Sequence, residues 1–181
     1  MQVLVAYETA HGSTRETAET IADVLRERGA ECDVVRCREA ESIDGYDAYI
    51  VGSAIWALNW LRPARQLVLG NTDTLATAPV AYFCTSASGG RESGRAEVEE
   101  KVIPRLRDLA VEVTPVAIGN FGGVINYEAY NLPIRLVMKA ILKAKGEPTS
   151  GYHDMRDWEQ IRAWASEVYD LFAARLAGAE E

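Results

Sequence analysis

The sequence predicts an α/β fold, a doubly wound parallel sheet with helices on both faces. Three observations carry that reading. Short apolar runs rich in Val alternate with helical patterns, the order of elements that builds a parallel sheet. Several of the runs are almost continuously apolar, as strands covered on both faces are. The connections between them are short, which keeps successive elements adjacent. With 181 residues, 48% of them apolar, the chain is long enough for one well-buried core and too short for two comfortable ones. No Pro/Gly-rich or Ser-rich linker, internal repeat or low-complexity segment divides it, so residues 1–181 read as a single domain.

Five strands are expected, at residues 3–7, 32–35, 48–51, 80–84 and 113–118. The first helix follows Thr14: Ala18, Ile21, Ala22 and Leu25 recur at helical spacing, and Gly29 supplies a stop. Pro63 opens or kinks a second helix near 64–69. Val98, Val102, Leu106 and Leu109 mark a third, in which Pro104 must begin a new segment or bend the helix. A further, basic helix lies near 133–145. The last helix, 157–176, has Asp157 as N-cap, Gln160 three residues on, and Trp158, Ile161, Ala165, Val168 and Phe172 on one face.

A formal net charge of −8 argues against a general nucleic-acid binder, because phosphate backbones are held mainly by clustered Lys and Arg. Cys32, Cys37 and Cys84 fit neither CxxC nor zinc-ligand spacing, so no disulfide framework or metal site is expected, and a reducing cytoplasm suits them. Strand-like residues begin at Gln2, and no apolar run approaches the length that spans a bilayer. The protein is therefore expected to be cytoplasmic, neither exported nor membrane-spanning.

In open parallel sheets, ligands bind beyond the carboxyl ends of the strands, where strand order reverses. The first such loop is Thr9, Ala10, His11, Gly12, Ser13 and Thr14, hydroxyls and small residues leading into a helix. Unpaired backbone donors and the positive end of the helix dipole favour an anion there, and the three hydroxyls add donors. The loop reads as a phosphate site or as an ordinary capped turn. It is neither GxxxxGK[ST] nor GxGxxG, so neither a P-loop nor a dinucleotide fingerprint is present.

Tyr7, Thr9, Gly12, Thr14, Ala18 and Ile21, at these spacings, resemble the flavodoxin signature, whose hydroxyl-rich loop wraps the FMN phosphate. Ala6 departs from it, on the strand, where a larger apolar residue is usual. The resemblance implies a five-stranded sheet of order 2-1-3-4-5 and FMN as cofactor. His11 is then either a solvated loop residue or an extra phosphate contact. The loop after the third strand, Ser53, Ala54, Ile55 and Trp56, occupies the position where flavodoxin-like proteins pack an aromatic ring on the isoalloxazine. Trp56 is the expected ring, with Trp60 core unless the two exchange roles. The third loop, Thr85, Ser86, Ala87, Ser88, Gly89 and Gly90, can bring backbone donors to the polar edge of the flavin. It lacks the aromatic lid of electron-carrying flavodoxins, since no aromatic residue lies between Cys84 and Val98. One flavin face would then be open to a substrate, unless Phe121 or Tyr127 covers it. Arg91 and Arg95 are solvated, or one of them meets an acidic substrate.

The C-terminal run from Tyr130 to Phe172 is similar to the end of menaquinone-dependent protoporphyrinogen oxidases, which are flavodoxin-fold FMN enzymes. It has the same linked parts: an aromatic-led basic helix, a Gly-Glu linker, then Asp157, Trp158, Glu159 and Gln160 opening a terminal helix. A long insertion that some of these oxidases carry before the fifth strand is missing. The resemblance implies oxidation of a porphyrinogen and reduction of a quinone, in heme biosynthesis, with no catalytic side chain because the flavin carries the chemistry. An electron-carrier flavodoxin and a flavin-dependent quinone reductase are the alternatives.

Arg135, Lys139 and Lys143 recur every four residues, Lys145 follows, and no acidic residue lies between Asn131 and Gly146. In an acidic chain such a helix either lies on the inner face of an anionic membrane, where a lipid-soluble quinone is available, or packs on the sheet with a solvated basic face. Tyr127 and Tyr130 would line a substrate entry. Homodimerisation is left open.

Overall fold

In the computed structural model, the Val-rich runs form a parallel sheet. Residues 1–126, 132–144 and 149–178 are described, with the side chains of all but residues 133, 134, 138, 141 and 142 in the second stretch. The strands are β1 (Gln2–Glu8), β2 (Glu31–Arg36), β3 (Ala48–Trp56), a short β4 (Asn59–Trp60), β5 (Val80–Ser86) and β6 (Ala117–Gly122). Their order is β2-β1-β3-β5-β6, with β4 folded back antiparallel on the end of β3. Without β4 this is the 2-1-3-4-5 order expected. Tyr7 pairs with Gly52 and Gly52 with Phe83, so β1, β3 and β5 run in register and their loops leave the same edge.

Strand pleating sorts the core. Val3, Val5, Ile50, Ala81 and Phe83 face α1 (Ser13–Glu27) together with Ile161, Ala165, Val168 and Phe172 of the C-terminal helix. Leu4, Ala6, Tyr49, Val51, Val80, Tyr82 and Cys84 face the other side. That side is covered by α2 (Arg62–Gly70), α3 (Thr72–Ala76), α4 (Glu92–Lys101) and α5 (Ile103–Arg107). Pro104 does begin a new segment, since α4 ends at Lys101 and α5 starts at Ile103. A small hairpin-like pair, β7 (Val124–Asn126) with β8 (Tyr152–Asp154), α6 (Leu132–Ala144) and the C-terminal α7 (Trp158–Ala177) complete the described elements.

The fifth parallel strand differs from expectation. It spans Ala117–Gly122 rather than 113–118, because Pro115 offers no N–H to a ladder. Val113 is instead buried in a turn, its N–H donating to Ala110 O at 3.0 Å, and pairing begins only where the Val116 N–H reaches Val80 O at 2.8 Å. The strand then runs through a glycine-rich stretch that looks like loop. A Cβ on Gly122 would lie 1.9 Å from the Met155 carbonyl oxygen, so the close approach explains the glycine. In α7, Asp157 caps as expected, accepting the Gln160 N–H at 3.0 Å. Trp158, placed by periodicity on the buried face, is instead 36% exposed; Trp164 meets Phe121 and Phe83 edge-on in its stead.

Candidate functional site

The three segments at this edge of the sheet converge on one recess. Its wall is Thr9, Ala10, His11 and Ser13 from the first loop, Ala54, Ile55 and Trp56 from the end of β3, and Thr85, Ser86 and Ala87 from the end of β5, completed by Gly123 and Val124. The other expected residues, Gly12, Thr14, Ser53, Ser88, Gly89 and Gly90, do not line it and are built in around it.

The first loop is shaped by a turn in which Thr9 Oγ1 accepts the Gly12 N–H at 2.9 Å. Gly12 then stands as N-cap of α1 at φ 99°, a left-handed conformation that favours glycine, and no side chain caps the helix. The N–H groups of Ser13 and Thr14, in the first turn, have no intrahelical acceptors. The arrangement is thus an open helix N-terminus and not a side-chain-capped turn. Thr14 is fully buried, and its hydroxyl shares a 2.9 Å hydrogen bond with that of Thr85. It ties the first loop to the third.

Residues 53–56, expected in a loop, are the last of β3, and Ile55 and Trp56 pair with β4. The hairpin turn between them is Ala57 and Leu58, both at positive φ (49° and 58°) without being glycine. Arg105 donates to the Leu58 carbonyl at 3.1 Å. Trp56 stands 47% exposed on the recess, whereas Trp60 is buried edge-on against Tyr82, with centroids 5.1 Å apart. Trp56 is thus not buried under the following helix, the condition on which the two tryptophans would exchange roles. Ser53 is buried, its Oγ accepting the Leu61 N–H at 3.0 Å and so fixing the return of the hairpin.

In the third loop, the Ser86 carbonyl accepts from Gly89 at 3.1 Å and from Gly123 at 2.8 Å. The Ser86 hydroxyl is buried and has no partner among the described residues. Gly89 and Gly90 pack beneath, against Phe121 and Met155. Phe121 is 1% exposed, in the core, and does not cover the recess. Tyr127, Tyr130 and Lys145 fall outside the described residues. Arg91 and Arg95 do not line the recess. His11 is exposed on its rim, where the recess meets a larger, more open cleft carrying Arg15, Glu16, Asn126 and Tyr152.

Sequence reasoning missed three groups here. Gly123 and Val124 reach the wall because β6 runs four residues further than expected, and their signal was the Gly-Gly pair after Phe121. Arg156, its side chain 3% exposed, donates to Glu16 at 2.9 Å and to the Ser13 carbonyl at 3.3 Å, with its guanidinium 4.4 Å over the Trp158 ring. It docks the C-terminal part on the start of α1 and, by hydrogen bonding, holds the Asp154 carboxyl below the usual range. The third group is Glu8 with Arg36 and Arg38, directly beneath the first loop.

The recess fits a flavin phosphate and ring in its chemistry. Among the described residues it offers uncapped helix N–H donors, hydroxyls including the unpaired Ser86, no carboxylate, and an exposed aromatic face. Fold and site together define a flavodoxin-fold protein. The chain belongs to the flavodoxin domain family, whose sequence profile matches residues 4–151, and the cofactor this indicates is a flavin. It is similar to the protoporphyrinogen IX dehydrogenase [quinone] of Escherichia coli (strain K12), at 25% identity over 181 residues, 94% of this chain and 96% of that one. A protein of the same name from Leishmania major is 25% identical over 93% of this chain and 74% of its own. Among solved structures, flavodoxin 1 from Bacillus cereus matches 94% of this chain and 98% of its own, at TM-score 0.56 and 16% identity. The rubredoxin oxygen:oxidoreductase of Desulfovibrio gigas matches 97% of this chain at TM-score 0.57 and 17% identity, this chain spanning 37% of it. These structural likenesses concern the fold.

Proposed function

We propose that the protein binds FMN in this recess and acts as a protoporphyrinogen IX dehydrogenase, oxidising a porphyrinogen and reducing a quinone. The observation that carries the reading is the convergence of the three expected loops on one wall, in a chain that aligns along nearly its whole length with proteins of that name. FMN is favoured over FAD or a nicotinamide because there is one phosphate loop and no dinucleotide fingerprint.

The first loop holds the phosphate with the N–H groups of the start of α1 and the hydroxyls of Thr9 and Ser13. Trp56 offers its ring to the isoalloxazine, and the small residues Thr85, Ser86 and Ala87 offer donors to its polar edge. Bound there, the flavin supplies reversible two-electron chemistry, while the protein supplies position and electrostatics. Among the described residues Trp56 is the one aromatic side chain on the wall, which favours access for an organic substrate. That separates this reading from an electron carrier, whose overall acidity the chain shares.

As part of the same reading, α6 lies against an anionic membrane surface. Leu132, Leu136 and Val137 are exposed, at 68%, 62% and 56%, while Arg135 and Lys139 are half-buried and Lys143 exposed. The helix thus shows solvent apolar surface with cations beside it, not a purely basic face, and this favours an interfacial helix over a packed one. The deciding experiment for the activity is anaerobic mixing of FMN-loaded protein with protoporphyrinogen, a reduced quinone analogue and reduced nicotinamide in separate runs. Rapid loss of flavin absorbance with protoporphyrinogen, reversed by quinone, is expected; bleaching by nicotinamide alone overturns the assignment in favour of a quinone reductase.

A further inference from the structure

We infer that Glu8, through Arg36 and Arg38, is a positioning residue that sets the first loop and thereby the grip of the site on a flavin phosphate. The inference rests on the FMN reading above. Glu8 ends β1 with no exposed surface, and a carboxylate without solvent persists as an ion only when paired and hydrogen-bonded. Its Oε1 accepts from Arg36 Nε at 2.9 Å and Arg38 Nη2 at 2.7 Å, and its Oε2 from Arg38 Nε at 3.1 Å. The remaining contact is the Thr9 N–H, 3.2 Å from Oε1.

Strand register explains why both arginines arrive there. Tyr7 pairs with Arg36 at the end of β2, and the Cys37 N–H continues the ladder to Tyr7 O at 2.7 Å, which carries Arg38 round the end of β1. Arg36 Nη2 also donates to the Thr9 carbonyl at 3.0 Å. Thr9 is therefore held at both its N–H and its carbonyl by one charged cluster. Its hydroxyl in turn accepts the Gly12 N–H, which fixes the turn that aims the free N–H groups of Ser13 and Thr14. Glu8, Arg36 and Arg38 do not line the recess, so they act on a ligand only through Thr9. A buried carboxylate held by partly exposed arginines is a poor source of stability compared with apolar packing; what this cluster provides is a single orientation of the loop.

The test compares FMN with riboflavin, which lacks the phosphate. Affinities of both for flavin-free protein are read from quenching of flavin fluorescence in wild type, Glu8→Gln, Arg38→Gln and Arg28→Gln. The last removes an ion pair of a more exposed carboxylate, Asp170, at the other end of α1 from the loop. Wild type is expected to prefer FMN. Glu8→Gln and Arg38→Gln should lose roughly tenfold in FMN affinity, the low end of what losing an outer-shell partner costs at metal sites, with riboflavin affinity unchanged. Arg28→Gln should keep the wild-type ratio. Equal losses for both flavins, or a wild-type ratio in folded Arg38→Gln, overturns the positioning role. Arg38 is half exposed, so its variant decides even if Glu8→Gln does not fold. A wild type that binds riboflavin as tightly as FMN refutes the phosphate site itself, a different failure.

Discussion

The Thr14 and Thr85 hydroxyls are each other's partners, and neither residue is more than 3% exposed. Thr14→Val leaves the Thr85 hydroxyl buried and unpaired, so the flavin-free protein should lose about 1–3 kcal/mol, measured by urea unfolding, and FMN should bind more weakly. Thr14→Ser should restore both. An unchanged unfolding midpoint in the Val variant would mean the tie is not made. For the tryptophans the expectations separate cleanly. Trp56→Ala should abolish most of the quenching of protein fluorescence on FMN binding and shift the flavin potential while leaving stability nearly unchanged. Trp60→Ala should cost about 3–5 kcal/mol, as large core truncations do. Such residues were legible in the sequence because hydroxyls, glycines and aromatics in a strand-end loop have few other uses. Glu8 was not: a lone carboxylate at a strand end carries no sign of being buried, and its partners come from another strand whose register only the folded sheet sets.

At the scale of elements, patterning found every parallel strand whose interior is apolar and misplaced the one interrupted by Pro115 and built on Gly119 and Gly122. That strand owes its place to pairing with β5 and to backbone approaches that only glycine permits, neither of which leaves a hydrophobic period. The β3–β4 hairpin was missed for a related reason, since its turn residues Ala57 and Leu58 violate the Asn-Gly preference of such turns. Left-handed conformations at non-glycine residues cost roughly 1–3 kcal/mol each. Replacing Leu58 with Gly should therefore raise the thermal midpoint of the flavin-free protein, the relief being partly offset by the freedom glycine gains when unfolded. A lowered midpoint would show that the Leu58 side chain, packed against the core on the α2–α5 side, contributes more than the strain costs. Either result locates what holds the turn that carries Trp56.

At the scale of the whole molecule, charge bears on both acid stability and the proposed membrane contact. Glu8 and Asp154 are held below the ordinary carboxylate range. For Glu8, burial acts to raise the value and the hydrogen bonds from Arg38, Arg36 and the Thr9 N–H outweigh it; for Asp154 the Arg156 side chain is the main cause. Carboxyls depressed in the folded state contribute stability that is present above their unfolded values, near 4, and is lost as pH falls through the folded ones. The urea midpoint should thus be flat from neutral pH to about 5 and drop below about 4, less steeply in Glu8→Gln. Among the described residues no helix is long and apolar enough to cross a membrane, and the proposed membrane contact is one of surface association. The acidic molecule, net −8, is repelled by anionic lipid except where α6 gathers its cations next to exposed Leu132, Leu136 and Val137. Each Lys or Arg near such a surface contributes on the order of 1 kcal/mol, so binding should be weak, reversible and lost at high salt. Sedimentation with anionic vesicles at low salt should carry down the wild type, and neutral vesicles should not. Changing Arg135, Lys139 and Lys143 together to Gln should remove the dependence on lipid charge, and Leu136→Ser with Val137→Ser should weaken binding while leaving that dependence in place. Wild type that ignores anionic vesicles, or a triple variant that binds equally well, would return α6 to a packing role and require the quinone to reach the flavin from solution.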